Sequence, residues 1–479
     1  MSLKNSATSG IKWSSVSQVG RQFMQIITTA ILARLLSPSD FGLVGMATIV
    51  IGFIGLFLDL GTSSAIIQRK ELSNTLFNSI FWLNLAFGVL SMAILLLFAP
   101  VAASFYHEPR VTSVLRVLSL NFLLSSISIS QKALLEKNLA FNTLAKIEIS
   151  AVIAASFLGI GLAVMGFGVW SLVSQTLTLV TVTTVLLWLA TRWKPKIMFD
   201  WSEVREISSY SLHLTGFSIF NYFSRNADYL LIGRFLGSQD LGYYTLAYRL
   251  MLYPLQNISA VIGRVMFPVF SQIQNNDARF RAAYLRVVGT IALISFPMMV
   301  GLWTLAKPFA LTFFGAQWQP VILLLMILSP VGILQSVITT IGIIYQVKGR
   351  TDWLFRWGII SGTLAVIAFV IGLQWGIIGV ASAYAIATLI LAYPNFAIPF
   401  RLINLPVRDL GAVLWRPLVA SLIMLGLLLV VGFLLPANLA SGWVLGISVP
   451  IGCITYLLAS WWLNRKQIQQ LFDMIGVKK

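Results

Sequence analysis

The chain has 479 residues, 58% of them apolar or aromatic and only 10% Asp, Glu, Lys or Arg. Soluble domains carry about 25% charge, so this composition cannot cover a soluble surface, and its hydrophobicity excludes a disordered chain. One cysteine, Cys453, excludes a disulfide framework, which leaves a polytopic membrane protein.

A spanning helix needs about 20 mostly apolar residues. That rule predicts fourteen spans, near 11–36, 41–61, 77–103, 113–131, 143–166, 168–191, 208–236, 241–271, 284–312, 319–346, 355–373, 377–399, 412–435 and 443–463. Lys and Arg collect in cytosolic loops. With the N-terminus inside, the cytosolic segments hold 24 of the 33 Lys and Arg, among them Lys132, Lys137, Lys194 and Arg279. The outer side holds five, Arg34, Arg110, Arg116, Arg234 and Lys307, and four lie within spans. This split places both termini in the cytosol. It also accounts for most of the net charge of +18, which therefore carries no message about nucleic acid. No cleavable leader is expected, because the first ten residues are polar and Arg21 interrupts the helix that follows.

The longest polar gaps, 192–207 and 400–411, are too short for a soluble domain, and no G-x-x-x-x-G-K-[ST] loop or Cys/His cluster occurs. His107, in SFYHEPR, reads as a loop histidine, and His213 as a packing or anchoring one. The missing catalytic loops argue against an enzyme, and no cofactor is expected.

An internal repeat runs at an offset of 200. Residues 31–50, ILARLLSPSDFGLVGMATIV, match 231–250, LIGRFLGSQDLGYYTLAYRL, at Arg34/Arg234, Leu36/Leu236, Asp40/Asp240, Gly42/Gly242 and Ala47/Ala247. Spans one and seven run the same way, so the halves are parallel repeats related by an axis along the membrane normal. The chain divides into six-helix lobes at 1–195 and 205–402, with two further helices and a tail at 403–479. The aspartates would cap the next helix, the glycines allow close packing or an unusual backbone angle, and the arginines either pair with the aspartates or anchor among head groups.

Ser14, Gln18, Arg21, Gln25 and Thr28 fall on one face of the first span. Ser218, Asn221, Arg225 and Asp228 occupy the equivalent positions of the seventh. Lipid does not tolerate such a stripe, so it faces protein or a water-filled cavity. Arg249 and Arg264 lie in span eight, about 22 Å apart along its axis. Arg225 and Asp228 either neutralise each other or take a substrate or ion role, and Arg264 either lines the cavity or snorkels to cytosolic head groups. Arg21 and Arg249 have no acid nearby in their own helices and read as cavity residues. Asp59 and Glu148, near cytosolic ends, read as interfacial. Four arginines against one aspartate make the interior cationic, which suits an anion carrying phosphate rather than a cationic drug. The aromatic runs at Tyr243, Tyr244, Tyr248 and Tyr253, and at Phe217 to Tyr229, read first as belt and core packing. Asn121, Ser125, Ser128, Gln335, Ser336 and Thr339 either line a polar path or serve helix packing.

The runs ARLLSPSDFGLVGMATIV (33–50), FLDLGTSSAIIQRKEL (57–72), GFGVWSLVSQ (166–175) and MFPVFSQIQNND (266–277) carry a resemblance across the whole chain. The sequence resembles the polysaccharide-exporter branch of the multidrug/oligosaccharidyl-lipid/polysaccharide flippase superfamily, with O-antigen flippases and colanic-acid-type exporters of bacterial inner membranes nearest in look. The resemblance implies two six-helix lobes around a cavity that opens alternately to each side. It implies an undecaprenyl-pyrophosphate-linked oligosaccharide as substrate, with Arg21, Arg249 and Arg264 matching the family's pyrophosphate-binding arginines. It also implies a lipid-tail groove at the last two helices and a cycle driven by a proton gradient, a sodium gradient or the membrane potential. Expected partners are membrane lipids and the polysaccharide polymerase and export machinery. The competing readings are a peptidoglycan-precursor flippase, a drug/cation antiporter of the same superfamily, and a membrane glycosyltransferase.

Overall fold

A computed structural model describes residues 3–57, 66, 73–201, 212–436, 438–465 and 467; the side chains of 3–17, 19, 212–218, 254 and 256–265 fall outside the description. Among the described residues the regular structure is all helical. Up to residue 242 the helices are α1 (Leu3–Leu35), α2 (Pro38–Gly55), α3 (Asn74–Tyr106), α4 (Arg110–Leu118), α5 (Leu120–Lys137), α6 (Phe141–Val164), α7 (Val169–Thr191), α8 (Leu212–Phe235) and the start of α9 (Ser238–Gln272). Beyond it come α10 (Asp277–Thr304), α11 (Ala306–Phe313), α12 (Gln319–Ile338), α13 (Ile341–Val347), α14 (Thr351–Gly372), α15 (Gly376–Phe400), α16 (Val407–Leu434) and α17 (Ser441–Leu463).

The chain is an all-α, multi-pass membrane protein. Ten described stretches are long and apolar enough to cross a bilayer, and one of them, Thr351–Ile403, contains both α14 and α15. The long helices outside that set are α1, α8 and α9. They are long enough to span, with 33, 24 and 35 residues. They carry Arg21, Arg225 with Asp228, and Arg249 along their length.

The fold separates into two compact units, residues 1–242 and 243–479. In the first, α6 places Ala151, Ala155, Gly159 and Ala163 four residues apart and buried. Such a small-residue stripe lets helix backbones approach closely, which is how helices associate where lipid removes the hydrophobic drive between them. Gly20 faces Ile149, and Thr28 Oγ1 donates to Ser156 Oγ at 2.8 Å. Residue numbers rise together along both helices, so α1 and α6 run parallel. The same holds for α5 and α7, where Thr184 Oγ1 donates to the Leu124 carbonyl and Trp188 Nε1 to that of Ile127. Parallel pairs two spans or four spans apart are what an alternating up–down chain requires.

The second unit is built on a core that includes Phe270, Phe280, Tyr284, Val288 and Phe400. Its α10 runs antiparallel to α12, with Ser295 Oγ donating to Ser336 Oγ at 2.9 Å and Met299 against Gly332. A second cluster joins α10 to the last two helices through Leu293, Val300, Met424, Leu428 and Tyr456.

Candidate functional site

The polar face of α1 ends in a charge pair. Arg21 Nη1 lies 3.2 Å from Glu148 Oε2 on α6, and Arg21 Nη2 donates to Gln18 Oε1 at 2.6 Å. Gln18 in turn donates to Gln22. Arg21 Nε is buried with no acceptor among the described residues. Glu148 thus answers the arginine that has no acid in its own helix. Sequence spacing could not show this, because the partner arrives 127 residues later on a parallel helix at the same depth. Gln25 is exposed, and Thr28 is buried against Ser156.

The equivalent face of α8 repeats this burial pattern. Asn221 and Arg225 are exposed, like Gln25, and Asp228 is 1% exposed, like Thr28. The Asp228 carboxylate turns inward and accepts the Tyr229 amide at 2.9 Å. Asp228 is the one charged side chain in the buried class among the described residues. The Ser218 side chain lies outside the described residues.

In the second unit Arg249 is exposed, and the Arg264 side chain lies outside the described residues. The neighbouring tyrosines pack: Tyr244 stacks on Tyr248, Tyr243 meets Trp318 edge to face, and both Tyr243 and Tyr244 are buried. Gln335 Nε2 donates to the Tyr384 hydroxyl at 3.0 Å.

The repeat motif forms a crossing at the opposite end of the first unit. Ser37 caps α2 and Asp40 reaches back to the Ser37 N–H at 2.9 Å, a capping box whose cap is the serine rather than the aspartate. A Cβ on Gly42 would sit 1.7 Å from the Ser238 carbonyl oxygen, and one on Gly242 1.9 Å from that of Pro38. Position 38 is the repeat equivalent of 238, and 42 of 242. Each half therefore lays its motif glycine on the other half's first helical turn, a two-fold arrangement of backbone on backbone that only glycine permits. A polar ring surrounds the crossing. Ser39 and Ser238 hydroxyls are 2.9 Å apart, Ser238 donates to Glu108 Oε2, and Arg110 Nη2 donates to both Glu108 (2.8 Å) and Ser39 (3.2 Å). The Arg110 hydrogen bonds hold the Glu108 carboxyl below its ordinary range. Deeper down, the Tyr222 hydroxyl donates to the Ile49 carbonyl at 2.6 Å over Gly52, and Phe53 packs against Phe223 with the rings tilted. The Arg234 guanidinium lies against the His107 ring and over Phe105 and Phe235.

The family described as polysaccharide biosynthesis protein matches residues 31–323, more than half of the sequence. The chain belongs to the polysaccharide biosynthesis protein family. Within it, teichuronic acid biosynthesis protein TuaB of Bacillus subtilis (strain 168) is 31% identical over 81% of this chain and 81% of its own length. Lipopolysaccharide biosynthesis protein WzxC of Escherichia coli (strain K12) is 29% identical over 92% and 90%. Succinoglycan biosynthesis transport protein ExoT of Rhizobium meliloti (strain 1021) is 29% identical over 98% and 96%. Among solved structures, a lipid II flippase, MurJ, in an inward closed conformation superimposes with a TM-score of 0.74 at 18% identity, covering 96% of this chain and all of that one. An inward-facing multidrug resistance MATE family transporter gives 0.64 at 16%, covering 80% and 94%. These two likenesses establish the fold. The family match bears out the polysaccharide-biosynthesis resemblance that the sequence motifs carried.

Proposed function

We propose that the protein is an alternating-access flippase. It moves an undecaprenyl-pyrophosphate-linked oligosaccharide from the cytosolic to the periplasmic leaflet of a bacterial inner membrane, for assembly of a surface or secreted polysaccharide. Both termini lie in the cytosol, the lobes are 1–195 and 205–402, and 403–479 supplies two further helices beside the lipid tail. The observation that carries this reading is the set of interior arginines. Arg21 is under-coordinated, and Arg225 and Arg249 are exposed on helices that should otherwise shun charge. Carrying a pyrophosphate through about 30 Å of hydrocarbon unaided is prohibitive. A cationic aqueous path lowers that barrier while the polyprenyl tail stays in lipid. Arg21, Arg249 and Arg264 hold phosphate, Arg225 adds to the field, and Gln18, Gln25, Ser218 and Asn221 line the path. Coupling to a proton or sodium gradient would use Asp228, whose carboxylate is buried. No catalytic group is needed, and the polymerase and export machinery receive the product.

The relatives favour this substrate over a peptidoglycan precursor, since their names tie them to teichuronic acid, lipopolysaccharide and succinoglycan. The test is reconstitution of the full chain in vesicles with a polyprenyl-pyrophosphate oligosaccharide. Its exposure to an impermeant periodate label should equilibrate across the bilayer only when the protein is present. Failure to move it, together with efflux of cationic dyes, would establish the drug-antiporter alternative.

A further inference from the structure

A guanidinium has five N–H donors, and among the described residues Arg21 meets a carboxylate on Nη1 and a side-chain amide oxygen on Nη2. The carboxylate contact is a single point at 3.2 Å, where a strong ion pair closes to about 2.7–2.9 Å and is usually bidentate. Nε is buried and unmet among the described residues. The side chains are 35% and 25% exposed, so the pair is open on one side. Glu148 sits seven residues into α6 and Arg21 fourteen residues from the end of α1, on parallel helices, which puts both in the same half of the bilayer. An unpaired arginine there costs about 2.5–3.5 kcal/mol on insertion scales. A carboxylate that neutralises it loosely keeps the helix inserted without occupying the whole fork.

We propose that Glu148 is the resting counter-ion of Arg21 and that the phosphate of the transported lipid displaces it, so that Glu148 sets how tightly the empty pathway takes up an anionic head group. This rests on the flippase reading above and deepens it. A phosphate oxygen set fills Nε and Nη1 together, which a single carboxylate oxygen cannot do. Glu148 is thus a positioning residue: it holds the guanidinium toward the open side and competes with the ligand for it.

A purely structural ion pair and a competing counter-ion give opposite results when the acid is neutralised. The experiment titrates inorganic pyrophosphate into the purified full-length protein by calorimetry, for wild type, Glu148→Gln, Arg21→Ala and the double variant. Removing the competitor should tighten pyrophosphate binding about threefold to tenfold in E148Q, an effect that R21A and R21A/E148Q abolish. E148Q should unfold within a few degrees of wild type, since the isosteric amide still accepts from Arg21. Unchanged or weaker binding in E148Q would overturn the proposal and leave Glu148 as a helix tie. If no variant bound pyrophosphate while the lipid-linked oligosaccharide was still translocated, the phosphate role of Arg21 and this inference would both fall, and the flippase reading would stand.

Discussion

In the proposed flippase, Arg21 and Arg249 are the residues that hold phosphate. A charge-assisted hydrogen bond contributes about 1.5–3 kcal/mol, so losing either arginine should slow export about tenfold to a hundredfold. Replacing each by alanine, with membrane protein levels followed by immunoblot, should give that loss at unchanged abundance. Normal export from the double variant would remove the phosphate-binding role. The sequence made these arginines legible because a charge inside an apolar run is conspicuous. It left their partners illegible. Glu148 read as interfacial because depth was counted along α6 alone, and its meeting with Arg21 exists only once α1 and α6 pack in parallel. The i, i+3 spacing of Arg225 and Asp228 did not show that one is exposed and the other buried.

At the scale of elements, the crossing of α2 and α9 joins the two copies of the repeat motif. In the proposed topology it lies at the periplasmic end, which the proposed alternating cycle would have to open. Because the Ser39 and Ser238 hydroxyls are 2.9 Å apart, cysteines at both positions, with Cys453 replaced by alanine, should form a disulfide in membranes. Oxidation should then arrest export and a reductant restore it; full crosslinking with undiminished export would mean a fixed pivot instead. A methyl group at Gly42 or Gly242 has no room, and overpacking of this kind costs about 1–3 kcal/mol. Thermal unfolding of G42A and G242A should show that loss, whereas G426A, whose added Cβ meets nothing within 4 Å, should not. The ring also predicts an acid dependence. Glu108 has a folded-state pKa held below its unfolded value by Arg110, so its contribution is present at neutral pH and is lost as pH falls through the depressed value. Thermal stability measured from pH 7 down to pH 3 should therefore drop below the ordinary carboxylate range, and E108Q should remove that drop. The repeat was readable as five identities at one offset. That its two copies touch was not, because a sequence shows that two glycines are equivalent without showing that they meet.

For the whole molecule, composition and charge distribution were enough to read an all-helical membrane chain, and the motif order was enough to read its family. Composition works at this scale because lipid leaves so few solutions for the backbone. The polar stripes of α1 and α8 make those helices poor spans by hydropathy alone, yet their regular helical spacing, with equivalent positions in each half, identified them. The glycan is not written in the chain in the same way, since a cavity that grips the common pyrophosphate needs few contacts with the sugar. The account therefore stands or falls on what accumulates when the protein is missing. The direct measurement labels the lipid-linked oligosaccharide pool in a deletion strain and determines the leaflet in which intact units reside. Build-up of complete units on the cytosolic face, with loss of the polysaccharide, is the predicted result. An unchanged pool with normal polysaccharide and heightened sensitivity to cationic dyes would contradict it.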